Sequence, residues 1–269
     1  MKKIVFFTIV LVYLIFYTFF SYAYLASGNY SLLRSVLYNL APLAATLAGF
    51  SAVKVYGISG VRAKAILYLA IGTSFWFIGE ILWSYFVQIG IEPLPSIADF
   101  FYFAAYPLLF MGLLLEYKLA QVKLTQINKT QLMTLGALGG LIIFFVCYFG
   151  VYLAYDPEVS AIQNIIIAGY GLADLTLVLL SGSLVVIIRE YKGGKIALPW
   201  FYFLLGLVLT LLADILFAIY TDEYDVAFSL TLIMDYLWLT SYIFMATAFF
   251  HFGSSVRALQ KKLKSAASP

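Results

Sequence analysis

Residues 95–109 read PSIADFFYFAAYPLL, an apolar and aromatic run with a single acid, Asp99, near its start. Pro95 is followed by Ser96-Ile97-Ala98-Asp99, the spacing of a capping box. In that motif Ser at N-cap and an acid at N3 each satisfy a free backbone N–H. The stretch therefore predicts the start of a helix whose remaining turns carry only apolar and aromatic side chains. Such a helix needs an apolar solvent on its outside. The whole chain repeats the message: of 269 residues, 64% are hydrophobic and 11% charged, against about 25% charged in soluble domains. So few charges cannot cover a water-facing surface, and the expected class is an all-α, multi-pass integral membrane protein.

A spanning helix needs roughly 20 mainly apolar residues. Eight segments meet that need, at 4–25, 33–55, 65–88, 98–117, 131–154, 162–188, 198–220 and 228–252. The first follows Met1-Lys2-Lys3; its apolar run is longer than a signal-peptide core and AYLAS is a poor cleavage site, so it is read as a membrane helix. Lys and Arg mark cytoplasmic loops. On this map Lys2, Lys3, Lys54, Arg62, Lys64, Lys118, Lys123, Lys129, Arg189, Lys192, Lys195, Arg257, Lys261, Lys262 and Lys264 fall on one side, and only Arg34 on the other. The opposite loops hold Glu92, Asp156, Glu158, Asp222, Glu223 and Asp225. Both termini are thus expected in the cytoplasm and the chain in the cell membrane, with the lipid bilayer as its first partner. The basic tail reads as a flank attracted to anionic lipid. Asn29-Tyr30-Ser31 is a formal glycosylation tripeptide of little weight.

The stretch has an echo half a chain away. IADFFYFAAYPLLFMG (97–112) aligns with IMDYLWLTSYIFMATA (233–248), and FIGEILWSYF (77–86) with LLADILFAIY (211–220). Glu80 then matches Asp214, Trp83 matches Phe217, Asp99 matches Asp235, Tyr102 matches Trp238 and Tyr106 matches Tyr242; Asn39 matches Asp174. Two four-helix repeats follow, 1–118 and 131–253, joined by a basic linker at 119–130 and trailed by a basic tail at 254–269. An even number of spans orients both repeats alike, as in transporters whose halves are related by an axis along the membrane normal.

Glu80, Asp99, Asp174, Asp214 and Asp235 lie inside these spans. A carboxylate at a helix centre costs about 2.5–3.5 kcal/mol on insertion scales, so such residues face the bundle interior and mark a site. Asp99 has a competing role as a helix cap. Asp235 has Leu232 where a capping Ser or Thr would stand, which argues for a role beyond capping. Aromatics accompany the acids at helical spacing: Tyr102 and Tyr106 after Asp99, Trp238 and Tyr242 after Asp235, and Trp76 and Trp83 around Glu80. Residues at i, i+3 and i+4 share a helix face. Acids among ring faces suit an organic cation, and carboxylate oxygens would equally serve a hard metal ion; the same rings also make ordinary packing with tyrosine hydroxyls bonded to carboxylates.

PSIADFFYFAAYP resembles the P-S-x-A-D-x-x-Y-L-x-x-Y-P signature of the multi-span N-terminal region of some bacterial GGDEF/EAL signalling proteins, and GEILW in the preceding span belongs to the same pattern. The resemblance covers residues 79–109 specifically, and the rest by hydropathy and span count. It implies a sensory input module. No GGDEF, EAL or kinase sequence follows the last span here, so a sensory role expects a separate cytoplasmic signalling partner, and the second repeat lacks the Pro-Ser pair.

Three functional classes remain in view. A sensory or ligand-binding module would take a cation or cationic small molecule from the outer side, between Glu80, Asp99, Asp174, Asp214 and Asp235 and the rings of Trp83, Tyr102, Tyr106, Trp238 and Tyr242. A proton- or cation-coupled secondary transporter or channel would use the same carboxylates, although no span is obviously broken. An intramembrane aspartyl-type hydrolase is disfavoured: GYGLADLTL around Asp174 has Ala173 where the second Gly of the Gly-x-Gly-Asp element would stand. The lone Cys147 excludes an internal disulfide, and the lone His251 excludes bis-histidine haem and Ser-His-Asp catalysis. No lysine lies mid-span to hold retinal. No cofactor is expected, nor nucleic acid, since the basic residues flank spans.

Overall fold

The computed structural model describes residues 2–27, 32–120, 129–192, 194–224 and 226–267. The Asn29-Tyr30-Ser31 tripeptide, most of the 119–130 linker, Asp225 and the last residues of the tail lie outside them. Among the described residues the chain forms α1 (Lys2–Ser27), α2 (Leu32–Tyr56), α3 (Val61–Gln88), α4 (Ile97–Ala120), α5 (Lys129–Phe145), α6 (Ala161–Lys192), α7 (Gly194–Ile219) and α8 (Phe228–Ala267), with no strand. Seven helices are long and apolar enough to cross a membrane; α1 contributes a shorter apolar stretch, Thr8–Tyr24. Large apolar side chains cover the outside: Phe100, Leu141, Ile165 and Phe250 are each at least 60% exposed. This multi-pass helical exterior fits a lipid bilayer.

The sequence shows no broken span, yet α5 is not uniform. It continues as a π-helical segment, Val146–Leu153, at the point where it meets α6 and α7. Val146 and Gly150 are the buried residues of that segment, and Gly150 packs near Ile215 of α7. The rest of α5 is almost bare of protein neighbours, with only 6% of the apolar window over Leu132–Leu153 buried.

Six helices close into a ring. Neighbours run α2, α3, α4, α6, α7, α8 and back to α2, and no backbone in the ring approaches the one opposite among the described residues. The pairing α2–α3 has its counterpart in α6–α7, α3–α4 in α7–α8, and α4–α6 in α8–α2. The outliers are α1, seated against α2 and α8, and α5 with its π segment, seated against α6 and α7. The main apolar core, including Leu69, Leu109, Leu207 and Phe249, runs continuously through both halves, and a smaller one gathers around Leu94, Ile167 and Met234.

Lipid tails are as apolar as leucine, so helix association here rests on close packing rather than on expulsion of water. Small residues at two matching positions permit it. A Cβ at Gly72 of α3 would lie 2.7 Å from Leu109 and 3.2 Å from the Ala105 carbonyl of α4. A Cβ at Gly206 of α7 would lie 2.9 Å from both Met245 and the Ser241 carbonyl of α8. At the end of the ring where α2 turns into α3, Arg62 grips the fully buried Glu116 of α4 through Nε (3.1 Å) and Nη2. The other end, where α3 passes into α4 and α7 into α8, is called the upper end below.

Candidate functional site

All six ring helices contribute to a central cavity of about 90 Å³, nearer the upper end. Its walls include Arg34, Ser35 and Tyr38 of α2, Trp76, Glu80, Trp83 and Ser84 of α3, Tyr102 and Tyr106 of α4, Tyr170 of α6, Thr210, Asp214 and Phe217 of α7, and Trp238 and Tyr242 of α8. Water needs roughly 10–15 Å³ per molecule on this measure, so the cavity has room for about six waters or one small organic molecule. Above it opens a wider vestibule of about 550 Å³, walled by Gly90, Glu92, Thr221, Asp222 and others. Trp83, Val87, Phe217 and Tyr224 line both spaces. The partition between them is aromatic: Trp83 meets Phe217 edge to face at 5.7 Å, and Phe217 meets Tyr224 at 5.4 Å.

Glu80 is the centre of the acidic face. Its two carboxylate oxygens accept from the Tyr242 hydroxyl at 2.8 Å and from the Tyr102 hydroxyl at 3.1 Å. Gly79 makes the second bond possible, because a Cβ there would fall 2.6 Å from the Tyr102 ring. Across the cavity Asp214, partly exposed to it, accepts from the Trp238 indole N–H at 2.7 Å. Behind Asp214, out of the cavity wall, Asp174 is buried to 1% exposure and accepts from the Tyr106 hydroxyl at 2.9 Å. The Asp174 and Asp214 carboxyls lie within hydrogen-bonding reach of each other. Asn39, the sequence match of Asp174, donates to Ser84 at 2.9 Å.

Of the ten side chains expected to form the site, Glu80, Asp214, Trp83, Tyr102, Tyr106, Trp238 and Tyr242 line the cavity, and Asp99, Asp174 and Asp235 do not. Asp99 closes its own helix start: its Oδ2 accepts from the Ser96 N–H at 2.6 Å while Ser96 Oγ accepts from the Ala98 N–H at 3.1 Å. Its other oxygen accepts from the Tyr170 hydroxyl, whose ring stacks on Phe103 at 4.7 Å. Asp235 lies well inside α8, where no cap is needed. It pairs with buried Arg34 at 2.9 Å and accepts further bonds from Tyr17 of α1 and, at 2.8 Å, from Tyr224. Arg34 also lies 4.9 Å from the Tyr24 ring centre. Among the described residues, the one cation in the wall is therefore committed to an acid outside it.

Sequence reasoning passed over Tyr17, Tyr38, Tyr170 and Tyr224. Tyr170 carried a signal, standing four residues before Asp174 on the same helix face; Tyr224 sits in the α7–α8 connection, where no periodicity applies. Among the described residues no group of three or more His, Cys, Asp or Glu side chains is disposed to hold a metal ion. Glu80 and Asp214 stand on opposing walls with aromatic rings between them. Comparison with family models, with curated proteins and with solved structures found no match for the chain.

Proposed function

We propose that this chain is a membrane-embedded ligand-binding module, of sensory type, that holds a small organic cation between Glu80 and Asp214. The observation carrying the proposal is the cavity wall itself. Two carboxylates face one small space lined by Trp76, Tyr102, Tyr106 and Trp238, and the single basic side chain there, Arg34, is spent on Asp235. An occupant must bring positive charge to balance Glu80 and Asp214, and ring faces favour a cation of low charge density. A volume of about 90 Å³ limits it to a few heavy atoms. Entry runs through the vestibule past Trp83 and Phe217.

The finer membrane arrangement belongs to the same proposal. All eight helices span, α1 included, and the cationic flanks place both termini in the cytoplasm and the vestibule outside. Two four-helix repeats built the ring. In support, the Gly72–Leu109 and Gly206–Met245 contacts fall at matching positions, and Trp83 and Phe217, themselves matched, meet edge to face across the centre. The resemblance to GGDEF/EAL input regions supports a sensory role, by analogy.

Thermal unfolding of the purified chain with tetramethylammonium, methylammonium or, as neutral control, tert-butanol tests the reading. Saturation at a hundred times Kd adds about 2.7 kcal/mol of stability, so the cations should raise the melting temperature and the alcohol should not. Glu80→Gln and Asp214→Asn should each abolish the rise. No rise in the wild type, or a rise that survives both substitutions, removes the basis of the proposal.

A second reading, a cation-coupled transporter, is favoured by one observation. The π-helical segment backs onto Gly171, one turn from Asp174, with Val146 lying 3.6 Å from where a Cβ of Gly171 would sit. Irregular backbone beside an intramembrane acid is a common setting for ion sites in transporters. Cation flux into proteoliposomes separates the two readings.

A further inference from the structure

Asp174 is the least provided-for acid in the ring. It is 1% exposed, its Oδ1 holds the Tyr106 hydroxyl, and its Oδ2 has no hydrogen-bond donor. What that carboxyl does have is Asp214, within hydrogen-bonding reach. Two ionised carboxylates at about 4 Å repel by about 4 kcal/mol even at an effective dielectric constant near 20. Among the described residues no cation offsets this: Arg34 is held by Asp235, and α5 carries only Lys129, at its lower end. The other ionisable groups facing the pair are Tyr106 on α4, Tyr170 on α6, Glu80 on α3 and Tyr242 on α8; the π segment turns Tyr148 and Tyr152 outward. A single proton between the two acids removes the repulsion and gives Oδ2 its missing partner, as in carboxyl pairs that share one proton.

We propose that Asp174 and Asp214 hold one proton between them, and that a cation seated against Asp214 displaces it. The second half rests on the cation-binding reading; the first does not. In the exchange one carboxyl O–H bond breaks, the proton passes to water in the vestibule, and the cation takes over its positive charge. The net charge of the site stays constant, so a monovalent cation enters a space that never carries the full repulsion of both ionised acids. Asp174 is then a positioning residue, acting on the ligand through Asp214.

The test needs no ligand for its first part. Infrared spectra of the full chain at neutral pH should contain a protonated-carboxyl C=O component that moves in D₂O. Asp174→Asn and Asp214→Asn should each remove it, and Glu80→Gln should leave it. A wild-type spectrum lacking the component, or a component surviving both Asp substitutions, overturns the shared proton. For the second part, tetramethylammonium, which has no proton of its own, is titrated into weakly buffered protein. About one proton should be released per cation bound, and Kd should fall about tenfold per pH unit as pH rises. Asp174→Asn should abolish release and flatten the pH profile, while keeping the cation site. Binding without proton release overturns the displacement alone. Failure of the cation to bind at all, with the infrared component intact, overturns the cation site and leaves the carboxyl pair standing.

Discussion

Replacing Arg34 by Met should expose how the ring keeps one acid away from its cavity. Asp235 has no exposure to solvent, and the Arg34 guanidinium stands 2.9 Å from it. At that separation and an effective dielectric constant near 20, the gross attraction is about 6 kcal/mol. Much of it was spent in desolvating both groups, so the net loss on removing one partner is about 3–5 kcal/mol. The hydroxyls of Tyr17 and Tyr224 still donate to Asp235, which puts the expectation at the lower end, about 3 kcal/mol. The double variant Arg34→Met/Asp235→Asn removes the stranded charge and keeps an acceptor for a tyrosine. It should recover at least about 2 kcal/mol of the loss, a coupling of the size seen between groups in direct contact. Reversible unfolding in mixed detergent, followed by tryptophan fluorescence, measures both. The double variant should also retain its response to tetramethylammonium, because Asp235 is not in the cavity wall and Arg34, which is, carries the same sign of charge as the cation. If the two substitutions simply add, the ion pair contributes no coupling and the account of Asp235 fails. If the cation response disappears in a stable double variant, the Arg34–Asp235 pair belongs to the ligand site after all.

Two further outcomes follow from the packing. Gly206→Ala places a Cβ 2.9 Å from the Ser241 carbonyl, backbone that cannot swing away, and should cost about 1–3 kcal/mol in the same unfolding assay; an unchanged midpoint would mean that α7 and α8 are not held this closely. Trp83→Ala with Phe217→Ala merges cavity and vestibule, so stopped-flow fluorescence should record faster entry and exit of tetramethylammonium, with the acids still in place. Unaltered rates would show that the cation takes another route.

Much of the fold was legible in the sequence because the bilayer imposes length and hydropathy on each span. The helix that opens at Ser96 begins where its capping box says: Asp99 takes the Ser96 N–H, and Ser96 Oγ takes the N–H of Ala98, one residue before the position the box names. The π-helical turn at Val146–Leu153 left no such mark, since Gly and Pro are absent from its start; the segment packs against α6 and α7. In the site, periodicity grouped Glu80 with Trp83, both of which line the cavity, and Asp235 with Trp238 and Tyr242, of which only the two rings line it. It could not say what stands opposite each face. Glu80 and Tyr242 are separated by 162 residues, and Arg34 and Asp235 by 201. Asp99 and Asp235, matched in sequence, lead different lives for that reason: one lies in the first turn of its helix, the other eight residues into α8, within reach of α1 and α2.

From its own order the chain determined which segments are apolar helices, where the α4 helix is capped, and which side chains share a face, because those properties depend on neighbours a few residues apart and on the solvent around them. Only the closed ring decided that Glu80 and Asp214 share a cavity, that Asp174 leans on Asp214, and that Arg34 is claimed by Asp235. Contacts between helices depend on how closely backbones approach and how each helix is turned, and these are set jointly by many distant residues, with gaps left at positions such as Gly72, Gly79 and Gly206.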